Sequence, residues 1–247
     1  MANHRNCFPL LPARGWPLLW PIALLLCPLP GLRADCPDCE DTAKLIQRVS
    51  VRDDYTIFLS SRQNGVPVGV PLVRLTRIEQ FRNVGPTCEK RLLLAHPATT
   101  PYLEIQCLID GAPAPLEKIE KKMEDSCFAD VVFPAGKEIE IRTEILQRVD
   151  ANDIVGDQID YDDWQPRIDD YRVTVDLGKM YDSFCQTRDP GSKPASPPTF
   201  EEFLKSQEFE LEPAGPQIEG RTISWHWQHI SDPDWDISFY IRWKPWW

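Results

Sequence analysis

The chain has 247 residues, 24 of them proline and 12 glycine, with 38 acidic against 27 basic side chains and a formal net charge of −11. A hydrophobic share of 42% and an aromatic share of 10% are too high for a disordered acidic chain, and the acidic balance excludes nucleic acid as the main partner. The length suits one domain of about 150 residues with extensions, or two small ones.

The first long apolar run, Trp16 to Leu29, is broken by Pro17, Pro21 and Pro28, whereas a spanning helix needs roughly 20 uninterrupted apolar residues. Arg5 and Arg14 precede it and the small Ala34 follows, so residues 1–34 are expected to be a signal peptide and the chain to be secreted. That segment carries three arginines and no acid, so its removal takes the formal charge from −11 to −14. Cys36, Cys39, Cys88, Cys107, Cys127 and Cys185 remain, an even set that predicts three disulfides in an oxidising compartment without fixing their pairing. Cys36-Pro-Asp-Cys39 has the spacing of a redox dithiol. No strand precedes it, however, and Glu40 and Asp41 would disfavour a thiolate, so a structural role is expected.

From residue 45 to about 180 the pattern is short β-prone runs between turn signals: Leu45 to Val51, Tyr55 to Ser60, Val70 to Leu75, Lys90 to Ala95, Tyr102 to Ile109, Asp130 to Phe133, Glu138 to Leu146 and Tyr171 to Leu177. Ile139, Ile141 and Thr143 alternate with Glu138, Glu140 and Arg142, as in a strand with one buried and one wet face. Pro115 to Asp125 has helical spacing in Leu116, Ile119 and Met123. Many short strands in an oxidised chain predict a mainly β fold, a disulfide-stapled antiparallel β-sandwich with one or two short helices, over residues 35–185.

Residues 186–199 are rich in proline and serine and read as a linker. Thr199 with Glu202 three residues on predicts a capping box opening a short helix. Thr222 to Gln228 and Ile237 to Arg242 alternate as an aromatic terminal hairpin turned through residues 231–236. Trp243, Trp246 and Trp247 crowd the chain end and are candidate ligand-binding residues, suited to a protein partner, a glycan or a membrane surface.

The densest acidic segment runs from Asp150 to Asp163. Calcium takes six to eight oxygens from carboxylates, amides and carbonyls, so Asp150, Asn152, Asp153 and Asp157 are candidate calcium ligands, although the spacing is not that of an EF-hand. His226 and His229 lack a third ligand for zinc. No nucleophile elbow is present, and His96 has no partner in sequence that marks a triad. No catalytic residue is assigned.

Ile139 to Gly156, IEIRTEILQRVDANDIVG, resembles the segment of C2 domains in which a strand enters a calcium loop, with Asn152-Asp153-Ile154-Val155-Gly156 carrying the match and Pro101-Tyr102-Leu103-Glu104-Ile105 similar to an upstream strand of that family. The resemblance implies an eight-stranded sandwich and calcium-linked binding of phospholipid or protein. At ungapped spacing Ile145 and Gln147 stand where that family has aspartates. The sequence therefore points to a secreted binding protein rather than an enzyme, the competing class being a secreted hydrolase that uses acidic-loop carboxylates.

Overall fold

The computed structural model describes residues 45–61, 67–95, 102–121, 124–149, 155–159, 168–187, 197–230 and 237–244. Its first half is a run of strands: β1 (Ile46–Leu59), β2 (Pro71–Asn83), β3 (Cys88–Ala95), β4 (Tyr102–Ile109), β5 (Ala112–Pro113), β6 (Glu117–Lys121), β7 (Glu124–Phe133), β8 (Glu138–Arg148), β9 (Val155–Ile159) and β10 (Ile168–Asp176). Two short helices follow, α1 (Gly178–Thr187) and α2 (Phe200–Ser206), and then β11 (Glu210–Glu212), β12 (Gln217–Glu219), β13 (Thr222–Ile230) and β14 (Ile237–Arg242).

Eight strands form one open sheet in the order β12-β13-β10-β1-β2-β8-β4-β5, and two three-stranded sheets have the orders β11-β14-β9 and β3-β7-β6. The β1/β10 pair is parallel and its neighbours in the large sheet are antiparallel. This mixed, unclosed sheet replaces the expected C2-like antiparallel sandwich. The local alternation that suggested a sandwich is real, but it fixes only which face of a strand is wet and says nothing of strand order.

The expected disulfides are corrected as well: no disulfide joins Cys88, Cys107, Cys127 or Cys185. The first three sit in the apolar interior at 2–4% exposure, where a thiol packs as a small hydrophobe. Cys36 and Cys39 lie outside the described residues.

Alternation builds the large sheet. On β1, Val51, Tyr55 and Ile57 are buried while Arg52, Asp54 and Thr56 face the other way. The same face continues with Tyr171, Val173 and Val175 of β10 and Ile223 and Trp225 of β13, and α1 and α2 cover it with Met180, Tyr181, Phe184, Phe203 and Leu204. A second cluster joins Phe81, Ile139 and Ile141 of the large sheet to Leu92, Val131 and Phe133 of the β3-β7-β6 sheet. Each such fully buried side chain contributes about 1.5–3 kcal/mol of hydrophobic stabilisation.

Three local expectations change. Residues 115–125 hold β6 and the start of β7 rather than a helix; Glu117 pairs with Phe128 and Lys121 with Glu124, so hairpin pairing overrides a modest helical period. The C-terminal strands are present, but they do not form one hairpin: β13 pairs with β10 and β12, and β14 pairs with β11 and β9. The large sheet thereby runs across the expected 186–199 linker, whose first two residues end α1.

The capping box is formed as read. Thr199 Oγ1 accepts from the Glu202 backbone N–H, and Glu202 Oε2 accepts from the Thr199 N–H at 2.7 Å.

Candidate functional site

Register places the exposed side chains of the large sheet in rows that run across the strands. Arg52 lies opposite Arg172 on one side and Ile78 on the other; Arg172 lies opposite His226, Ile78 opposite Arg142, and Arg142 opposite Leu108. The row His226, Arg172, Arg52, Ile78, Arg142, Leu108 therefore spans six strands, about 24 Å at the usual strand spacing.

The next row on one side is Ser224, Thr174, Asp54, Thr76, Glu144 and Gln106. On the other side lie Gln228, Asp170, Ser50, Gln80 and Glu140. A basic band is thus flanked by two bands whose only charges are acidic.

Each arginine of the band is tied to an acid. Arg52 Nε lies 2.8 Å from Asp54 Oδ2, Arg172 Nε 3.0 Å from Asp170 Oδ2, and Arg142 Nη2 2.6 Å from Glu144 Oε1, each two residues along its own strand. His226 Nε2 meets Asp170 Oδ1 at 2.6 Å. Partial burial alone would raise the Asp170 pKa, but hydrogen bonds from His226 and Arg172 outweigh it and hold that carboxyl below its usual value.

These side chains remain open to water, with exposures of 60% for Arg52, 57% for Arg172, 43% for Arg142 and 38% for His226. A guanidinium has five N–H donors, more than one in-strand bridge uses. At the β2-β8-β4 end the face opens into a groove of about 250 Å³ between Arg74 on one wall and Glu104 on the other, floored by Leu146.

Beneath the band, on the inner face, lies a buried ionic cluster that sequence reasoning did not single out. Asp53 is fully buried; Arg77 Nε donates to its Oδ1 at 2.8 Å and Nη2 to its Oδ2 at 2.9 Å, and Tyr171 Oη donates to Oδ2 at 3.1 Å. Burial, then the Asp53 charge, pushes the Tyr55 and Tyr171 phenols well up. For Arg77 burial acts downward, but the charge and hydrogen bonds of Asp53 prevail and raise its pKa. The signal available in sequence was an aspartate at the inward phase of β1, between Val51 and Tyr55.

The sequence-based candidates are placed differently. Trp243 is 5% exposed, stacked on Phe209 with ring centroids 6.1 Å apart inside the helix-covered core. Trp246 and Trp247 lie outside the described residues, as do Asp150, Asn152 and Asp153. Asp157 is on β9, opposite Phe239 of β14. Among the described residues no group of three or more His, Cys, Asp or Glu side chains converges as a metal site. No described helix is long and apolar enough to cross a membrane.

No family model matches the chain, and neither does any curated protein. Among solved structures it is similar to a Legionella pneumophila protein provisionally described as nutrient binding, at 14% identity and a TM-score of 0.49, covering 81% of this chain and 68% of that one. An M1 zinc metallopeptidase from Deinococcus radiodurans matches 81% of this chain at 7% identity and a TM-score of 0.37, over 42% of its own length. Leukotriene A4 hydrolase from Saccharomyces cerevisiae matches 81% at 7% identity and 0.40, over 29% of its length. Likeness at this level carries no information about activity.

Proposed function

We propose that this chain is a protein-binding module whose docking surface is the exposed face of the large sheet. The observation that supports the reading is the placement of Arg52 directly opposite Arg172, with His226 and Arg142 completing the basic row between two acidic ones. Like charges opposite each other on a sheet are unfavourable in isolation, so a partner whose bands oppose them relieves a cost built into the free protein.

The chemistry of the face selects among partner classes. An anionic polymer would meet Asp54, Glu144, Asp170 and Glu140 beside the cations, which weakens its attraction. A sugar platform needs exposed aromatic rings, and Trp225 is buried on the opposite face. A membrane surface favours apolar and basic faces without interleaved acids. A protein partner with complementary bands fits all three rows. The three rows cover about 24 by 14 Å of sheet, below the ~800 Å² that each partner gives to a standard interface, so the complex is of the small, transient class.

The test is a photo-crosslinking residue placed at Thr76 or Thr174, inside the face, or at Asp130 of β7 as a reference. The reading expects protein adducts from the two face positions, lost in Arg52→Glu/Arg172→Glu and diminished at high salt. Adducts that form equally from Asp130, or that survive the charge reversals, would overturn it.

A further inference from the structure

The groove beyond the basic band has a charge arrangement that the band does not share. Register sets Arg74 of β2, Leu146 of β8 and Glu104 of β4 in one row across three adjacent strands. Leu146 stands at the outward phase of β8, two residues past Glu144, yet is only 2% exposed. It is the floor of a cavity of about 250 Å³ whose walls are Arg74 and Glu104, with Glu144 and Gln106 at one end. The register of β4 shifts between Tyr102 and Glu104, and a bulge of this kind bends its strand and adds twist beside the groove.

Arg52, Arg82, Arg142 and Arg172 of the same face are each closed onto an acid. Arg74 and Glu104 are not. Both are exposed, and among the described residues neither has an ion pair or a side-chain hydrogen bond, with each other or with a neighbour. Glu144 is already held by Arg142 and Gln106. One cation and one anion therefore stand on either side of an alkyl floor without meeting. Two strand spacings put their backbones about 10 Å apart. With both side chains upright from the sheet, a charge-assisted hydrogen bond of about 2.8 Å at each end leaves about 4 Å between the charged atoms of a molecule that spans the gap.

We propose that this groove binds a small zwitterion, a free amino acid with an aliphatic side chain. The carboxylate takes the fork of Arg74, whose planar donors match it bidentately. The ammonium donates to Glu104, and the alkyl group lies on Leu146, removing apolar surface from water. A simple anion meets the carboxylates of Glu104 and Glu144, and a simple cation meets Arg74, so only a molecule carrying both signs gains at both walls. Size sets a further limit: the cavity is smaller than the roughly 300–1,000 Å³ of sites for drug-sized ligands. The groove is separated from the row of Arg142 by the row of Glu144 and uses none of the four basic residues of the band, so this site goes beyond the docking face and stands without it.

Titration of the isotope-labelled full chain with L-leucine, followed by amide chemical shifts, tests the site. Saturable shifts are expected around Arg74, Leu146 and Glu104, half-complete below about 5 mM, since two solvent-facing ion pairs and one short alkyl contact give a weak complex. 4-Methylpentanoate, which lacks the ammonium, and L-leucinamide, which lacks the carboxylate, are each expected to bind at least about tenfold more weakly. Arg74→Gln and Glu104→Gln are expected to lose the shifts at an unchanged melting temperature, because both positions are exposed. Arg74→Glu/Glu104→Arg is expected to regain them, the ligand turning end for end with its alkyl group still on the floor. Arg52→Glu/Arg172→Glu is expected to bind L-leucine as wild type does, which separates the groove from the docking face. The inference is overturned by the absence of saturable shifts up to about 20 mM L-leucine. Equal binding of either single-charge analogue, shifts that survive in Arg74→Gln, or an exchanged variant that binds no better than the single ones would overturn it too.

Discussion

Arg77 closes both of its forward N–H groups on the Asp53 carboxylate across the β1/β2 pair, at 2.8 and 2.9 Å, and the carboxylate has no exposed surface. Such a pair stabilises little relative to a well-packed apolar pair, because desolvating two ions offsets most of their attraction. Breaking it is another matter, since one charge is left buried.

Asp53→Asn is therefore expected to cost about 3–5 kcal/mol in urea unfolding. Arg77→Met alone is expected to cost a similar amount, while Asp53→Asn/Arg77→Met returns to within about 1–2 kcal/mol of wild type. Single and double losses that simply add would show that the two side chains do not act as a unit.

Sequence reasoning read individual strands better than their partners. The alternation of Ile139, Ile141 and Thr143 and the Thr199 capping box are both present, because each depends on neighbours a few residues away. The parallel joining of β1 to β10 depends on residues more than 100 positions apart, such as Val51 with Tyr171, and no local pattern encodes it. The candidate face was illegible for the same reason. Arg52, Arg142, Arg172 and His226 are ordinary outward residues on four strands, and only register makes them a row. The expected staples failed on a different point: an even cysteine count says that pairing is arithmetically possible, whereas Cys88, Cys107 and Cys127 occupy core positions that a thiol satisfies by packing.

The thiols carry a second prediction. Burial pushes the Cys107 thiol up to about 11; a hydrogen bond with Thr143 opposes the rise, and the charges of Glu79 and Cys127 add to it. In the unfolded chain the same thiol ionises near 8.5–9. Between those values the unfolded state has lost a proton that the folded state keeps, so stability falls as pH rises, by about 1.4 kcal/mol per pH step for this group. Tyr55 and Tyr171, also raised by burial, add to the loss at still higher pH. Urea midpoints at pH 8, 9.5 and 10.5 are expected to decline less steeply in Cys107→Ser than in wild type, and equal slopes would refute the assignment. Unfolding without reductant is also expected to release at least four titratable thiols, from Cys88, Cys107, Cys127 and Cys185.

The cap of α2 gives a third. Phe203, fully buried, meets Phe184 at 5.1 Å and Phe209 at 5.2 Å between ring centroids, so the helix start fixes how an aromatic cluster seats on the sheet. Thr199→Ala removes the acceptor for the Glu202 N–H and is expected to lower stability by about 1 kcal/mol, while Thr199→Ser is expected to lie within a few tenths of wild type. If both variants melt alike, the capping bond contributes nothing and the cluster seats itself.

The last concerns the conflict between stability and binding at Arg52 and Arg172. Both guanidiniums are more than half exposed, so their in-strand bridges to Asp54 and Asp170 are worth at most a fraction of a kcal/mol. Arg52→Thr loses one weak bridge, relieves the repulsion from Arg172 and places a β-branched residue mid-strand. The expected outcome is unchanged or slightly higher stability, by a few tenths of a kcal/mol, with the gain larger at low salt than at 0.5 M. A double-mutant cycle with Arg172→Thr should give a coupling of repulsive sign that shrinks as salt rises. The same variants are expected to lose the salt-sensitive adducts formed from Thr76. A loss of more than about 1 kcal/mol in Arg52→Thr, or an attractive coupling between the two arginines, would mean that the row serves the fold. Neutral or favourable stability with lost adducts is the pattern of residues kept for a partner, because a surface pair that costs the free protein is retained only where something else opposes it.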